Sequence, residues 1–401
     1  MSAASQAVVA LPARTEGRAH PWMRGLVWDA AWMLPALWLA PLVLLLSQGS
    51  DDPHPPPLDV LYCGLTALFW LGHRVGSTWL AYCTTAYRPL LRADPVRFVV
   101  VPCAIAVCCF AILLPDDGAM PWSRAERVVV LAIVDYLLVT YHFAAQHFGV
   151  LSVYRTRAGR RGGLRRLDRV YALVIGGVLV LAAEVVAGTV SLIDVWVDPW
   201  LDPDWVASAA GTIADVATII VCASTMGMLL VEARATRPSL PRALYLVGLA
   251  LMVVVAFEVR IPFVFVVLWT AQHWIVSVGL TSLVAEAEPP TVRSRWRRAL
   301  HAINRRPWAL VLALAALSVL LLPLMEVEAV DDAGPFYAER IFGAFAAALR
   351  TSSWVPALVA LGFTTGFWHY WLDRAVFRFS DPRVTGAARG LVAEQLRSEA
   401  G

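Results

Sequence analysis

The chain has 401 residues, of which 59% are hydrophobic and only 16% are charged, and its formal net charge is +3. A soluble domain usually carries about a quarter charged residues, so this composition argues against a water-soluble globular protein. All 33 basic residues are arginines. The six cysteines lie within apolar stretches, which argues against a secreted disulfide scaffold.

Ten apolar runs are long enough to be membrane spans, since a spanning helix needs about 20 mostly apolar residues. The predicted spans are residues 29–47, 58–84, 96–114, 126–152, 169–194, 207–232, 241–258, 262–284, 308–325 and 352–373. A shorter apolar segment, 339–350, is predicted to be an interfacial or re-entrant helix that leads into the tenth span. Residues 258–262 are too few for a loop of any size, so spans seven and eight should form a tight outward hairpin.

The connections between the spans alternate between arginine-rich and acidic. Arginines crowd residues 85–97, 153–169, 233–242 and 285–307, whereas acidic residues mark the connections between these. Arginine-rich loops are retained on the cytoplasmic side of a membrane during insertion. We therefore predict an all-α polytopic membrane protein of about ten transmembrane helices with both termini cytoplasmic. Its parts would be an N-terminal segment (1–28), the helical bundle (29–373) and a C-terminal tail (374–401).

Five of the eight histidines lie within predicted spans, where a polar ring in hydrocarbon needs a partner. All five fall on spans two, four, eight and ten, which run in the same direction. From a helical rise of about 1.5 Å per residue, three are expected near the bilayer centre and two in a second layer nearer the cytoplasm. The central three are His73, His142 and His273, and the second layer contains His147 and His369.

Carboxylates and a short repeat accompany these histidines. Asp135 lies seven residues before His142 on the same helical face, where it could orient a histidine of another helix. Glu184 lies near the middle of span five and could be a ligand or a proton relay. Residues 145–148 (Ala-Gln-His-Phe) in span four match residues 271–274 (Ala-Gln-His-Trp) in span eight. Asp373 shares a face with His369 but is interpreted as the membrane boundary of the last span.

The histidine pattern favours a metal-dependent enzyme that lies within the membrane. Imidazole is a good ligand for iron, copper and zinc, and the expected ligands are His73, His142, His147, His273 and His369. Asp135 and Glu184 are the candidate catalytic carboxylates. Iron is the expected cofactor, because a lipid-buried site suits oxygenation, hydroxylation or desaturation of an apolar substrate such as a carotenoid, sterol or acyl chain.

Two other classes of function are compatible with the same pattern. Two histidines on facing helices could be axial ligands of haem in a haem-binding or quinone-linked electron carrier. The histidines and carboxylates could instead relay protons in a proton-coupled transporter or lipid flippase. The expected partners are the lipid bilayer, a hydrophobic small molecule and possible redox proteins, but no nucleic acid. The expected location is a bacterial cytoplasmic (inner) membrane.

Overall fold

A computed structural model shows how the chain folds. It describes residues 21–50, 54–160, 164–180, 203–286, 295–326 and 337–378, together with the single positions 52, 182, 381 and 384. Within these ranges every regular element is helical and no strand is present. The described part of the chain therefore belongs to the all-α class.

The helices are numbered here in chain order. They are α1 (Leu26–Met33), α2 (Ala36–Ser47), α3 (residues 56–83), α4 (Arg88–Ala93), α5 (Val96–Leu113), α6 (Arg124–Arg157), α7 (residues 165–178), α8 (Pro203–Ala233), α9 (Leu240–Val259), α10 (Pro262–Glu286), α11 (Arg295–Asn304), α12 (Pro307–Met325), α13 (Tyr337–Phe342), α14 (Ala344–Arg350) and α15 (Val355–Val376).

Among the described residues, six helices are long and apolar enough to cross a membrane: α5, α6, α8, α9, α10 and α12. The number rises to eight if each of two bent pairs is one span. These pairs are α1 with α2, bent by 51°, and α14 with α15, bent by 96°. A multi-pass membrane protein follows from these helices, whereas the count of ten and the cytoplasmic termini stay predictions. The predicted fifth span, 169–194, continues beyond the described residues.

Helix α10 is the central helix of the described bundle. Its apolar stretch is almost wholly buried by other helices, whereas only 22% of the apolar stretch of α5 and of α6 is buried. A helix that is hydrophobic all round belongs in a core, which matches its sequence of apolar residues on every face. Helices α3, α12, α1 and α2 pack against it. The polar side chains buried on α10, such as Gln272 and His273, are therefore held away from lipid as well as from water.

Helix α6 is the longest helix described, with 34 residues or about 51 Å of length. It begins at a capping box in which the Ser123 side chain accepts the Glu126 backbone N–H and the Glu126 carboxylate accepts the Ser123 backbone N–H. This motif satisfies donors that the first helical turn would otherwise leave unpaired. The helix exceeds the hydrocarbon thickness of about 30 Å, so it projects beyond the membrane core.

Helix α3 approaches its neighbours closely around a π-helical turn at Thr66–Trp70. Gly72 and Gly76 follow this turn and face α12 and α10. A Cβ atom at Gly72 would lie 2.9 Å from the Leu314 carbonyl oxygen, and one at Gly76 would lie 2.7 Å from the Thr281 hydroxyl. Larger residues would push these helices apart. The glycines thus allow His73, between them in sequence, to reach the centre of the bundle.

Candidate functional site

Four histidine rings from four helices meet inside the bundle. His73 comes from α3, His142 from α6, His273 from α10 and His369 from α15, and all four are buried. The ring centroids of His73 and His369 are 4.7 Å apart, and those of His142 and His273 are 4.8 Å apart. The remaining contacts between neighbouring rings range from 4.6 to 5.7 Å. We call these four side chains the histidine cluster.

The spacing of the rings is that expected of ligands around a metal. An imidazole bound through nitrogen places its ring centre about 3 Å from the ion, because the metal–nitrogen bond measures about 2.0–2.1 Å. Tetrahedral ligands would then have ring centres about 5 Å apart. The observed separations lie on both sides of this value. The cluster therefore has suitable dimensions for a bound cation.

A buried carboxylate borders the cluster. Asp373 lies one turn after His369 on α15, and its Oδ1 atom is 3.3 Å from His369 Nδ1. Its Oδ2 atom is 3.5 Å from His142 Nε2, so the carboxylate faces two histidines of two helices. In the sequence Asp373 and Arg374 resemble the membrane boundary of the last span, which concealed the position of Asp373 beside the histidines. Its spacing of four residues from His369 was the signal that could have identified it.

Gln146 holds the ring of His273 in a defined orientation. Its side-chain amide donates to the His273 backbone carbonyl at 3.2 Å, and its Oε1 atom is 2.9 Å from His273 Nδ1. The backbone carbonyl can only accept, so the amide nitrogen faces it and the amide oxygen faces the ring. His273 therefore carries its proton on Nδ1 and presents the lone pair of Nε2 to the cluster. This arrangement of a polar partner behind a ligating histidine is typical of metal sites.

Several donor atoms of the cluster are buried without a hydrogen bond. They include the Nε2 atoms of His142, His273 and His369. Buried polar atoms in proteins are nearly always satisfied, and exceptions indicate a functional site or a bound group. The donors form two groups of three within 4.8 Å: His73, His273 and His369, and His142, His369 and Asp373. The second group is a set of two histidines and one carboxylate.

The structure places His147 apart from the cluster. The helix is regular here, so His147 is rotated about 140° from His142, and its Nδ1 atom lies 2.9 Å from the Tyr245 hydroxyl on α9. Gln272 lies near Tyr245, but its amide nitrogen is buried without a hydrogen bond. The two repeat segments therefore differ: Gln146 of one contacts the histidine of the other directly, whereas His147 contacts Tyr245.

His369 was expected in a second layer with His147, but its ring lies among those of His73, His142 and His273. Counting residues from the nearest arginine assumes parallel helices that end at one plane. The observed helices are bent and unequal in length, with α15 joined to α14 at 96°. Depth along one helix is therefore a poor guide to depth along another.

Of the two predicted catalytic carboxylates, the structure describes the position of Asp135 but not that of Glu184. Asp135 lies on α6 beside Gly366 of α15, where an added Cβ would be 3.3 Å from Asp135 Oδ1 and 3.8 Å from the Arg74 guanidinium. Asp135 belongs to neither group of candidate ligands, so it lies beside the cluster rather than in it. Glu184 lies outside the described residues.

Aromatic rings enclose the cluster on several sides. Trp274 stacks on His73 with ring centroids 5.8 Å apart, and Phe143 contacts His273 at 4.8 Å. Tyr370 contacts both His142 and His369 and is only half-buried. On α6, Tyr141 is 57% exposed next to buried His142. The cluster is thus shielded by rings, while the residue before His142 on α6 is exposed on the outer side of that helix.

No protein-family model, curated protein or solved structure matches this chain. The chemistry of the site must therefore be argued from its own residues. Four imidazoles and one carboxylate form a nitrogen-rich donor set with one hard oxygen ligand. Such a set suits iron, zinc, copper or manganese better than calcium or magnesium, which prefer oxygen ligands.

Proposed function

We propose that this protein is a membrane-embedded, metal-dependent oxidoreductase that acts on a lipid-soluble substrate. The observation that carries the proposal is the convergence of His73, His142, His273, His369 and Asp373 from four helices in one buried cluster. Intramembrane ionisable residues are costly, and their concentration at one place is typical of a functional site. The rest of the chain offers no comparable group among the residues that the structure describes.

Iron is the metal that the donor set favours. His142, His369 and Asp373 form two histidines and one carboxylate, a combination characteristic of non-haem iron oxygenases. Iron held there would supply one-electron oxidation chemistry, which amino-acid side chains lack. In this proposal Gln146 orients His273, Asp373 balances the positive charge, and the rings of Trp274 and Phe143 exclude water.

A lipid-soluble substrate fits the position of the cluster. Tyr141 and Leu137 of α6 are exposed, and lipid would contact them there. Half-buried Tyr370 lies against His142 and His369 on the neighbouring helix. An apolar molecule dissolved in the bilayer would therefore approach the cluster sideways, past α6 and α15, without passing through water.

The alternatives have less support from the geometry. Two axial imidazoles of a haem would have ring centres about 6 Å apart, with a flat porphyrin between them. Neighbouring cluster rings pack edge to face at 4.6–5.7 Å, closer than that arrangement requires. A proton-relaying transporter would use histidines that hydrogen-bond in series, whereas the Nε2 atoms of three of these rings have no hydrogen bond.

Metal analysis of purified protein tests the proposal. The protein, extracted in mild detergent, should contain iron or another transition metal at one or more ions per chain. The double variant His142→Ala/His369→Ala should lose at least 90% of it, because it removes ligands from both groups. The matched control is His147→Gln, a buried histidine on the same helix as His142, which should keep the full metal content. Wild-type protein that retains no metal when purified or when supplied with Fe²⁺ without oxygen would reject the proposal.

A further inference from the structure

The four residues of the histidine cluster and Asp373 form two groups of candidate ligands that share one histidine. His73 and His273 group with His369 on one side, and His142 and Asp373 group with His369 on the other, each group within 4.8 Å. Two ligands of one ion lie at most about 4 Å apart, since each bond measures about 2.0–2.1 Å. In the part of the chain that the structure describes, these are the two groups of three candidate ligands, and His369 is the residue that belongs to both.

The ring of His369 has two nitrogens that point in different directions, and one of them faces the second group. Its Nδ1 atom lies 3.3 Å from Asp373 Oδ1, within the second group. Its Nε2 atom lies across the ring and is buried without a hydrogen bond. The lone-pair directions of the two nitrogens diverge in the ring plane, so one ion cannot bind both of them. The ring can, however, bind one ion on each side.

We propose that the cluster holds two metal ions bridged by His369. One ion is bound by His142, Asp373 and Nδ1 of His369, and the other by His73, His273 and Nε2 of His369. This inference rests on the proposed function, whose metal site it specifies as dinuclear. It also explains why the buried donors exceed the three or four protein ligands that a single catalytic ion usually has.

The bridge requires His369 to lose both ring protons. A neutral imidazole has one N–H and one lone pair, whereas the bridging form has a lone pair on each nitrogen. Binding of the second ion therefore releases one proton to the solvent, in the usual coupling of metal binding to deprotonation. The bridging ring and Asp373 are then both anionic. The ring lies between the two cations, and the carboxylate lies beside one of them. This compensation matters because buried cations are otherwise costly.

Metal stoichiometry tests the bridge. Metal-free protein in detergent is loaded with excess Co²⁺, desalted, and assayed for cobalt per chain by mass spectrometry. Wild type should bind two ions. Asp373→Asn and His273→Gln should each bind one, because each removes a ligand from one side only, and the combined variant should bind none. His369→Ala should bind fewer than one, whereas His147→Gln should keep two. Each variant is compared only if it elutes as a monodisperse species.

A second measurement on unaltered protein avoids any effect of substitutions on folding. In wild type loaded with Cu²⁺, the spin concentration measured by electron paramagnetic resonance should be well below the concentration of bound copper. The reason is that two copper spins bridged by imidazolate couple antiferromagnetically. A single bound ion with a full-intensity signal would overturn the bridge but leave the proposed metal site intact. No bound ion of any kind would overturn both.

Discussion

The repeated Ala-Gln-His segments show how one side chain orients another. Gln146 and Gln272 occupy equivalent positions in the two segments, yet only Gln146 contacts a cluster histidine. The amide nitrogen of Gln272 has no hydrogen bond, and His147 contacts Tyr245 instead. Because Gln146 fixes the proton of His273 on Nδ1, it determines which nitrogen faces the other rings of the cluster.

The Gln146→Leu variant should weaken metal binding by about 10- to 100-fold, the usual loss when a polar partner behind a ligating histidine is removed. Its physical cause is the free rotation and tautomerisation of His273. Titration of metal-free protein with Co²⁺ measures the dissociation constant. The Gln272→Leu variant is the matched control and should leave the constant within about twofold of wild type. Equal losses in the two variants would contradict the positioning role of Gln146.

The residue types in the sequence identified the four histidines of the cluster but not the neighbouring Asp373, and they could not predict how these residues are grouped. His73, His142, His273 and His369 were recognised because imidazoles are rare in membrane spans. Asp373 was missed because an acidic residue followed by Arg374 near the end of an apolar run resembles a membrane boundary. The separation of His147 from His142 follows from their spacing of five residues on a regular helix, whereas its partner Tyr245 on α9 could not be predicted from span four.

At the level of elements, buried ion pairs join four helices at one end of the bundle. Arg242 of α9 has no exposed surface and pairs with Asp168 of α7, at 2.5 Å, and with Glu232 of α8. Arg155 of α6 also pairs with Asp168, and Arg160 pairs with Glu232. Two carboxylates thus share three arginines away from solvent. These arginines belong to segments that sequence analysis explained only by membrane topology.

Removing Arg242 should destabilise the fold by about 3 kcal/mol or more, because loss of one partner leaves buried charge uncompensated. Arg242→Met, of similar length, is the suitable variant. Asp215→Asn is the control, since Asp215 pairs with Arg260 at 3.9 Å in an exposed position and such pairs contribute about 0–1 kcal/mol. Unfolding free energies from denaturant titration in detergent provide the comparison. A loss below 1 kcal/mol in Arg242→Met would contradict a structural role for these ion pairs.

Helix positions were largely predictable, because a membrane span requires a long apolar run. The described helices α5, α9, α10 and α12 begin and end within a few residues of the predicted spans. The predicted helix at 339–350 corresponds to α13 and α14, at a sharp angle to α15. The π turn at Thr66–Trp70 and the bend within the first predicted span were not predicted. The bend falls at Pro35, which cannot donate a backbone hydrogen bond, so a local signal for it was present in the sequence.

On the scale of the whole molecule, the site is assembled from distant parts of the chain. His73 and His369 are separated by nearly 300 residues, and four helices each contribute at least one donor. Helix α10 supplies His273, whose ring contacts those of His73, His142 and His369 from α3, α6 and α15. Only the complete bundle therefore forms the cluster. A fragment that lacks α15 would lose His369 and Asp373 together.

The central claim is that these imidazoles bind a metal, and X-ray absorption at the edge of the purified protein's own metal tests it most directly. We expect a shell of nitrogen and oxygen ligands at about 2.0–2.2 Å, with the outer-shell scattering of at least two imidazole rings and no sulfur. The imidazole scattering should be lost in the His142→Ala/His369→Ala variant. A metal bound mainly by sulfur or water, without imidazole scattering, would contradict the account.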